Sequence, residues 1–166
     1  LETGIKMNLI VNGKDTFNHS TGLSVKQELL QIIPQTFQKN FIFNGHITRD
    51  ELLSQYKHSK VAVFPSFAEA FAMAPMEAML AGIPTIYSDA CSGSELITDK
   101  INGLLINPKS IESIVSAIKY MLNNPEEAKI MGKRGRESII RNFSKEIMIS
   151  KTLEFYENIR SSYKNR

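Results

Sequence analysis

Up to Asn107 the apolar residues come in short runs punctuated by polar turns, and from Ser110 onward they recur at helical spacing. Lys6-Met7-Asn8-Leu9-Ile10-Val11 reads as a buried strand that stops at the turn signal Asn12-Gly13. Lys14 to Thr21 is polar and reads as a loop. Ser24 to Ile33 sets Val25, Leu29, Leu30, Ile32 and Ile33 close to the 3.6-residue period, which predicts a helix stopped by Pro34. Asn40-Phe41-Ile42-Phe43 predicts a second strand, broken at Asn44-Gly45. Thr48 and Glu51 make a Ser/Thr-x-x-Glu capping box, so a helix should open at Thr48, carry Leu52, Leu53 and Tyr56, and end near His58.

Three more strands are expected at 61–64, 85–87 and 104–106, each followed by helical sequence. The first leads through Pro65-Ser66 and Glu69-Ala70-Phe71-Ala72-Met73-Ala74-Pro75 into a helix that carries Glu77 and closes at Gly82. Beyond Ser110 the pattern is helical throughout: Ile111 to Leu122, Pro125 to about Asn142, and Ser144 to about Tyr163. Pro125 suits a first turn and Ser144 an N-cap. Short, non-alternating strands that alternate with helices argue for a parallel sheet covered on both faces. The expectation is one doubly wound α/β domain over 1–166, with a helical tail from about 144 to 163. In such sheets ligands bind beyond the carboxyl ends of the strands.

Composition narrows this picture. A chain of 166 residues that is 42% hydrophobic can bury one core, and a split into two domains would be unusual. Cys91 stands alone, so no internal disulfide can form, and one Cys with three scattered His gives no metal-ligand spacing. A reducing, cytoplasmic setting and no structural zinc are expected. No run approaches the roughly 18 apolar residues that cross a bilayer. The net charge is +3, with cations gathered late in Lys129, Lys133, Arg134, Arg136 and Arg141 and then Arg160, Lys164 and Arg166. No aromatic residues interleave them as stacking platforms, so solvated helix faces are a better reading than a nucleic-acid surface. Leu1 in place of an initiator Met suggests a piece of a longer chain.

The candidate chemistry lies around Glu69 and Glu77. Their eight-residue spacing means little alone, since Glu146 and Glu154 repeat it within one predicted helix as ordinary surface charge. Context separates the two pairs. If Pro75 marks the helix start, Glu69 sits in the loop and Glu77 in the first turn, with free amides near Ala72, Met73 and Ala74 between them. A helix start carries about half a positive charge and favours an anion by roughly 0.3–2 kcal/mol, which would suit a pyrophosphate. The plainer alternative stays open: Glu77 complements the helix dipole and Glu69 is a solvated loop residue.

Pro65-Ser66, Glu69-Ala70-Phe71, Glu77-Ala78-Met79, Gly82 and Pro84, then Gly93-Ser94-Glu95-Leu96-Ile97 and Asn102-Gly103-Leu104-Leu105, closely resemble the family 4 retaining glycosyltransferases. The resemblance is specific over 61–107 and looser toward both ends, at 7–13 and at Phe43-Asn44-Gly45-His46. It implies the GT-B fold, two facing Rossmann-like domains of which the C-terminal one binds a nucleotide-sugar donor. It also implies residue roles. Glu69, the candidate catalytic acid, would orient and stabilise the donor sugar. Glu77 would accept hydrogen bonds from the ribose hydroxyls. The backbone at Ala70, Phe71, Ala72 and Met73 would meet sugar hydroxyls and phosphate, and the turn Gly45-His46-Ile47 would face the base. Ser66 and Glu95 are further candidates, although capping of a short helix would also explain Glu95. His46 is better read as a turn residue than as a base catalyst. Gly103 is best read as a residue chosen for positive φ. The resemblance implies no metal and no cofactor, with a nucleotide-diphosphate sugar as donor substrate.

Two departures from the family pattern stand out. Ala70 and Ala72 replace glycines common among relatives, adding methyls beside the donor. The Arg and Lys that clamp the pyrophosphate in the family would lie upstream of Leu1, as would an acceptor-binding domain. The expected protein is therefore the donor-binding portion of a transferase that builds surface polysaccharide on a glycan or lipid-linked acceptor, inactive on its own. The expected partners are the donor, the acceptor domain of the same parent chain and, for that parent, the membrane periphery. Ile147, Met148, Leu153, Phe155, Tyr156 and Ile159 give the last helix a face suited to self-association. The rivals are a non-catalytic nucleotide-sugar or protein-binding module of the same fold, and a nucleotide-sugar epimerase. A dinucleotide oxidoreductase is disfavoured because no Gly-x-Gly-x-x-Gly follows a strand.

Overall fold

The computed structural model describes residues 7–70 and 73–164. Two compact units divide the chain, 1–53 and 54–166.

In the first unit, β1 (Leu9–Asn12) and β4 (Phe41–Gly45) pair in parallel, Leu9 opposite Phe41 and Val11 opposite Phe43. The strand at the N-terminal side is thus confirmed, but not its burial: Leu9 is 45% and Ile10 42% exposed. A sheet of two strands is too narrow to enclose its own faces. The segment expected to be a loop contains a hairpin, β2 (Phe17–Asn18) against β3 (Leu23–Ser24). Its turn is held by Asn18, whose Oδ1 accepts the Ser20 amide and whose carbonyl accepts that of Gly22, at φ 72°. Strands of two residues are too short to leave a periodic signal.

Helix α1 (Val25–Ile32) starts from a reciprocal capping box in which Ser24 accepts the Gln27 amide and Gln27 accepts that of Ser24. It ends before Pro34, and a short turn, α2 (Gln35–Gln38), leads to β4. The second predicted capping box is present too. Thr48 and Glu51 exchange backbone hydrogen bonds at the head of α3 (Arg49–His58), which runs across the division between the units.

The second unit carries a parallel sheet in the order β5 (Ala62–Phe64), β6 (Thr85–Ser88), β7 (Leu104–Ile106). Around it lie α4 (Met73–Leu80), α5 (Gly93–Leu96), α6 (Ile111–Asn123), α7 (Pro125–Phe143) and α8 (Lys145–Lys164). Every residue of β6 is buried. Side chains alternate across it: Ile86 joins Leu104, Ile106, Ala117, Met121 and Met131 in one cluster. Tyr87 joins Met79, Leu96, Ile97 and Ile139 in another. A middle strand buried on both faces explains why its sequence shows no apolar-polar alternation.

Glycines allow α7 to come this close. A Cβ on Gly132 would stand 2.3 Å from the Gly82 carbonyl oxygen, and one on Gly135 3.0 Å from that of Asn102. Gly103 corrects an expectation in the same way. It is not among the positive-φ glycines, and its hypothetical Cβ would meet the Thr85 carbonyl oxygen at 2.8 Å. Space, rather than backbone conformation, requires a glycine there.

The tail is as predicted, with Pro125 at the first turn of α7 and Ser144 Oγ accepting the Ile147 amide at the head of α8. Met148, Leu153, Phe155, Tyr156 and Tyr163 are exposed along α8. Among the described residues, no helix is long and apolar enough to cross a membrane.

Candidate functional site

The carboxyl ends of β5 and β6 carry the candidate acids of the second unit. Phe64 closes β5, and the chain then runs through exposed Pro65 and half-buried Ser66 to Glu69 and Ala70, both exposed. Phe71 and Ala72, two of the expected backbone contacts, lie outside the described residues. Met73, exposed, opens α4 as described.

Pro75 is fully buried at the third position of α4, so Glu77 lies in the second turn and not the first. Proline is accommodated anywhere in a first turn, because no first-turn amide has an intrahelical acceptor. It therefore marks the turn without fixing the first residue. Glu77 is half-buried. Its charge reaches the buried Tyr56 on α3, whose phenol is raised above its ordinary value first by burial and then by that carboxylate.

Glu95 is exposed on the four-residue α5, with its amide bonded to the Ser92 carbonyl. Gly45, His46 and Ile47 belong to the first unit. Gly45 takes φ 70°, and its carbonyl accepts the Gly13 amide at 2.8 Å, so that oxygen is already engaged. His46 is exposed and Ile47 half-buried.

One polar group here was not read from the sequence as anything but strand. Tyr87, wholly buried, lies 3.1 Å from Ser92 Oγ through its hydroxyl and accepts from Cys91 Sγ at 3.4 Å. Burial, then the Cys91 hydrogen bond, push the phenol up to about 12; Ser92 opposes the rise, and the Glu69 charge adds to it. The available signal was a tyrosine at the end of a buried strand, with Cys and Ser four and five residues on. A buried tyrosine hydroxyl normally finds a partner. No cluster of His, Cys, Asp and Glu able to hold a metal occurs among the described residues.

A parallel α/β fold with acids at the carboxyl ends of adjacent strands belongs to the class that binds ligands at that edge. The chain belongs to the Glycosyl transferases group 1 family, whose profile matches residues 2–138. Among curated proteins it is similar to an uncharacterised glycosyltransferase of Methanocaldococcus jannaschii, 27% identical over 116 residues, covering 70% of this chain and 30% of the relative. It is similar over 95% of its length to the O-antigen chain mannosyltransferase B of Escherichia coli, at 25% identity and 39% of that protein. The chain thus spans about 30% of the length of the first of these relatives. Among solved structures, a glycosyltransferase of Rickettsia africae superposes with a TM-score of 0.80 at 22% identity, covering 95% of this chain and 41% of the other. The Anabaena protein HepE, crystallised with UDP-glucose, gives 0.75 at 19% identity, over 93% and 41%. The fold is therefore the Rossmann-like α/β fold of GT-B glycosyltransferases.

Proposed function

We propose that this chain is the donor-binding portion of a family 4 retaining glycosyltransferase, the C-terminal part of a GT-B enzyme that transfers sugar from a nucleotide-diphosphate sugar. The acceptor is a glycan or lipid-linked saccharide of a surface polysaccharide, a reading supported by the similarity to an O-antigen mannosyltransferase. The observation that carries the proposal is the arrangement after β5, where exposed Glu69 and half-buried Glu77 bracket the N-terminal turn of α4 inside the family match.

An ionised carboxylate offers two acceptor oxygens to a diol, which suits Glu77 to ribose and Glu69 to sugar hydroxyls. Backbone amides from Ala70 to Met73 would donate to phosphate oxygens at the positive end of the helix. Fixed donors aimed at the departing diphosphate lower the barrier by stabilising the charge that develops on it. Ser66 and Glu95 would border the sugar.

Calorimetry with UDP, GDP and ADP tests this reading. One diphosphate should bind in preference, and Glu77→Ala should weaken it about ten- to a hundredfold, the worth of a hydrogen bond to a charged group. Undiminished binding in that variant would remove the ribose role. Residues 1–166 alone should bind without transferring sugar, and measurable transfer by them would show that no further part is needed.

A further inference from the structure

Tyr87 touches both the root of the loop after β5, through its ring, and the turn after β6, through its hydroxyl. Phe64, Tyr87 and Leu105 stand in one row across β5, β6 and β7, in register. Phe64 meets the Tyr87 ring edge-on, centroids 6.5 Å apart and planes at 87°. Phe64 is also the last residue of β5, at the root of the loop that carries Glu69. On its other side, the Tyr87 hydroxyl holds Ser92 and Cys91, at the end of the turn that opens the helix of Glu95.

That turn has little freedom. Ser88 Oγ accepts the Ala90 amide, and a Cβ on Gly93 would fall 2.0 Å from the Ser88 carbonyl oxygen. One buried phenol therefore bonds to the turn after β6 and packs against the root of the loop after β5. Tyr87 also packs through its ring with Met79 of α4, the helix that carries Glu77, whereas its hydroxyl bonds to Ser92 and Cys91.

We propose that the Tyr87 hydroxyl is a positioning group that holds the Glu69 and Glu95 loops in a fixed relation and so governs the grip on the donor's sugar, leaving its nucleoside diphosphate untouched. It rests on the donor-binding reading above. Tyr87 acts through the loops and touches no substrate.

The test compares Tyr87→Phe with the unaltered chain in calorimetry against UDP, GDP and ADP and against UDP-glucose, GDP-mannose and ADP-glucose. The expected result is unchanged affinity for the preferred diphosphate and about three- to tenfold weaker binding of its sugar conjugate, the scale of one lost hydrogen bond. Cys91, the chain's single cysteine, supplies a second readout. The sugar conjugate should slow its alkylation by iodoacetamide in the unaltered chain and no longer do so in Tyr87→Phe. Ser92→Ala, which removes one partner and leaves the phenol in place, should shift the affinity ratio in the same direction and stands in should Tyr87→Phe fail to fold. An unaltered chain that binds none of the six compounds overturns the donor reading and this proposal with it. Binding by the unaltered chain, with the ratio unmoved in both variants or with diphosphate and conjugate weakened equally, overturns the positioning role alone.

Discussion

Among residues 7–53 not one side chain is buried, while in the second unit all of β6 is enclosed, along with Met79, Ile97 and Met121. Both units are built from the same parts: short parallel strands, capped helices, glycine turns. They differ in what covers the strands. In the second unit α4, α6 and α7 supply two clusters, one on each face of the sheet. In the first, Leu9, Ile10, Ile32 and Ile42 remain exposed although their sequence is as apolar as that of β6. Local pattern makes a strand; burial requires partners from elsewhere in the chain.

Glycine substitution should separate the units most sharply. Gly132→Ala would drive a Cβ into backbone at Gly82 and Pro84, which cannot swing aside, and should cost about 4 kcal/mol or more in urea denaturation. Gly45→Ala meets no atom within 4 Å and pays only for its φ of 70°, about 1–2 kcal/mol. Equal losses would erase the distinction between glycines chosen for space and those chosen for conformation.

Truncation comes next. Met79→Ala should cost about 2–5 kcal/mol, because it empties part of a closed cluster, while Leu9→Ala, already half exposed, should cost under about 1 kcal/mol by the same melt. A large loss from Leu9→Ala would show that the first unit has a core after all.

The smallest effect is alkaline. The Tyr87 phenol rises from 10.0 in its ordinary state to about 12 in the fold, so the unfolded chain releases that proton first. Its contribution is complete below about pH 10 and declines as pH climbs toward about 12, where the folded phenol also ionises. Tyr87→Phe should therefore show a shallower fall in stability over that window than the unaltered chain. An unchanged slope would place the raised phenol elsewhere, Tyr56 and Tyr120 being the other two shifted upward.

Much of this was legible beforehand, for reasons that differ by residue. Thr48 and Glu51 announced their capping box because both halves lie within one turn. Pro125 and Ser144 marked their helices for the same reason. The parallel pairing of β5, β6 and β7 was expected from apolar runs spaced by helices, and their order came from the structure. Glu69 in its loop and Glu77 on its helix were also placed by sequence, apart from the turn Glu77 occupies, since proline does not fix a helix's first residue. The hairpin at Phe17 was missed because two-residue strands have no period.

What sequence determined, then, was whatever depends on a few neighbouring residues: the elements, their caps, the loop after β5 and the family to which the chain belongs. Only the tertiary structure decided which apolar strands are covered, that Gly103 and Gly132 answer to backbone packed against them, and that the Tyr87 ring meets Phe64 while its hydroxyl bonds to the turn after β6. Gly132 meets Gly82 across fifty residues of chain, and Tyr87 meets Phe64 from a neighbouring strand. Contacts of that reach leave no mark on local composition, because packing is a property of surfaces that meet only once the chain has folded.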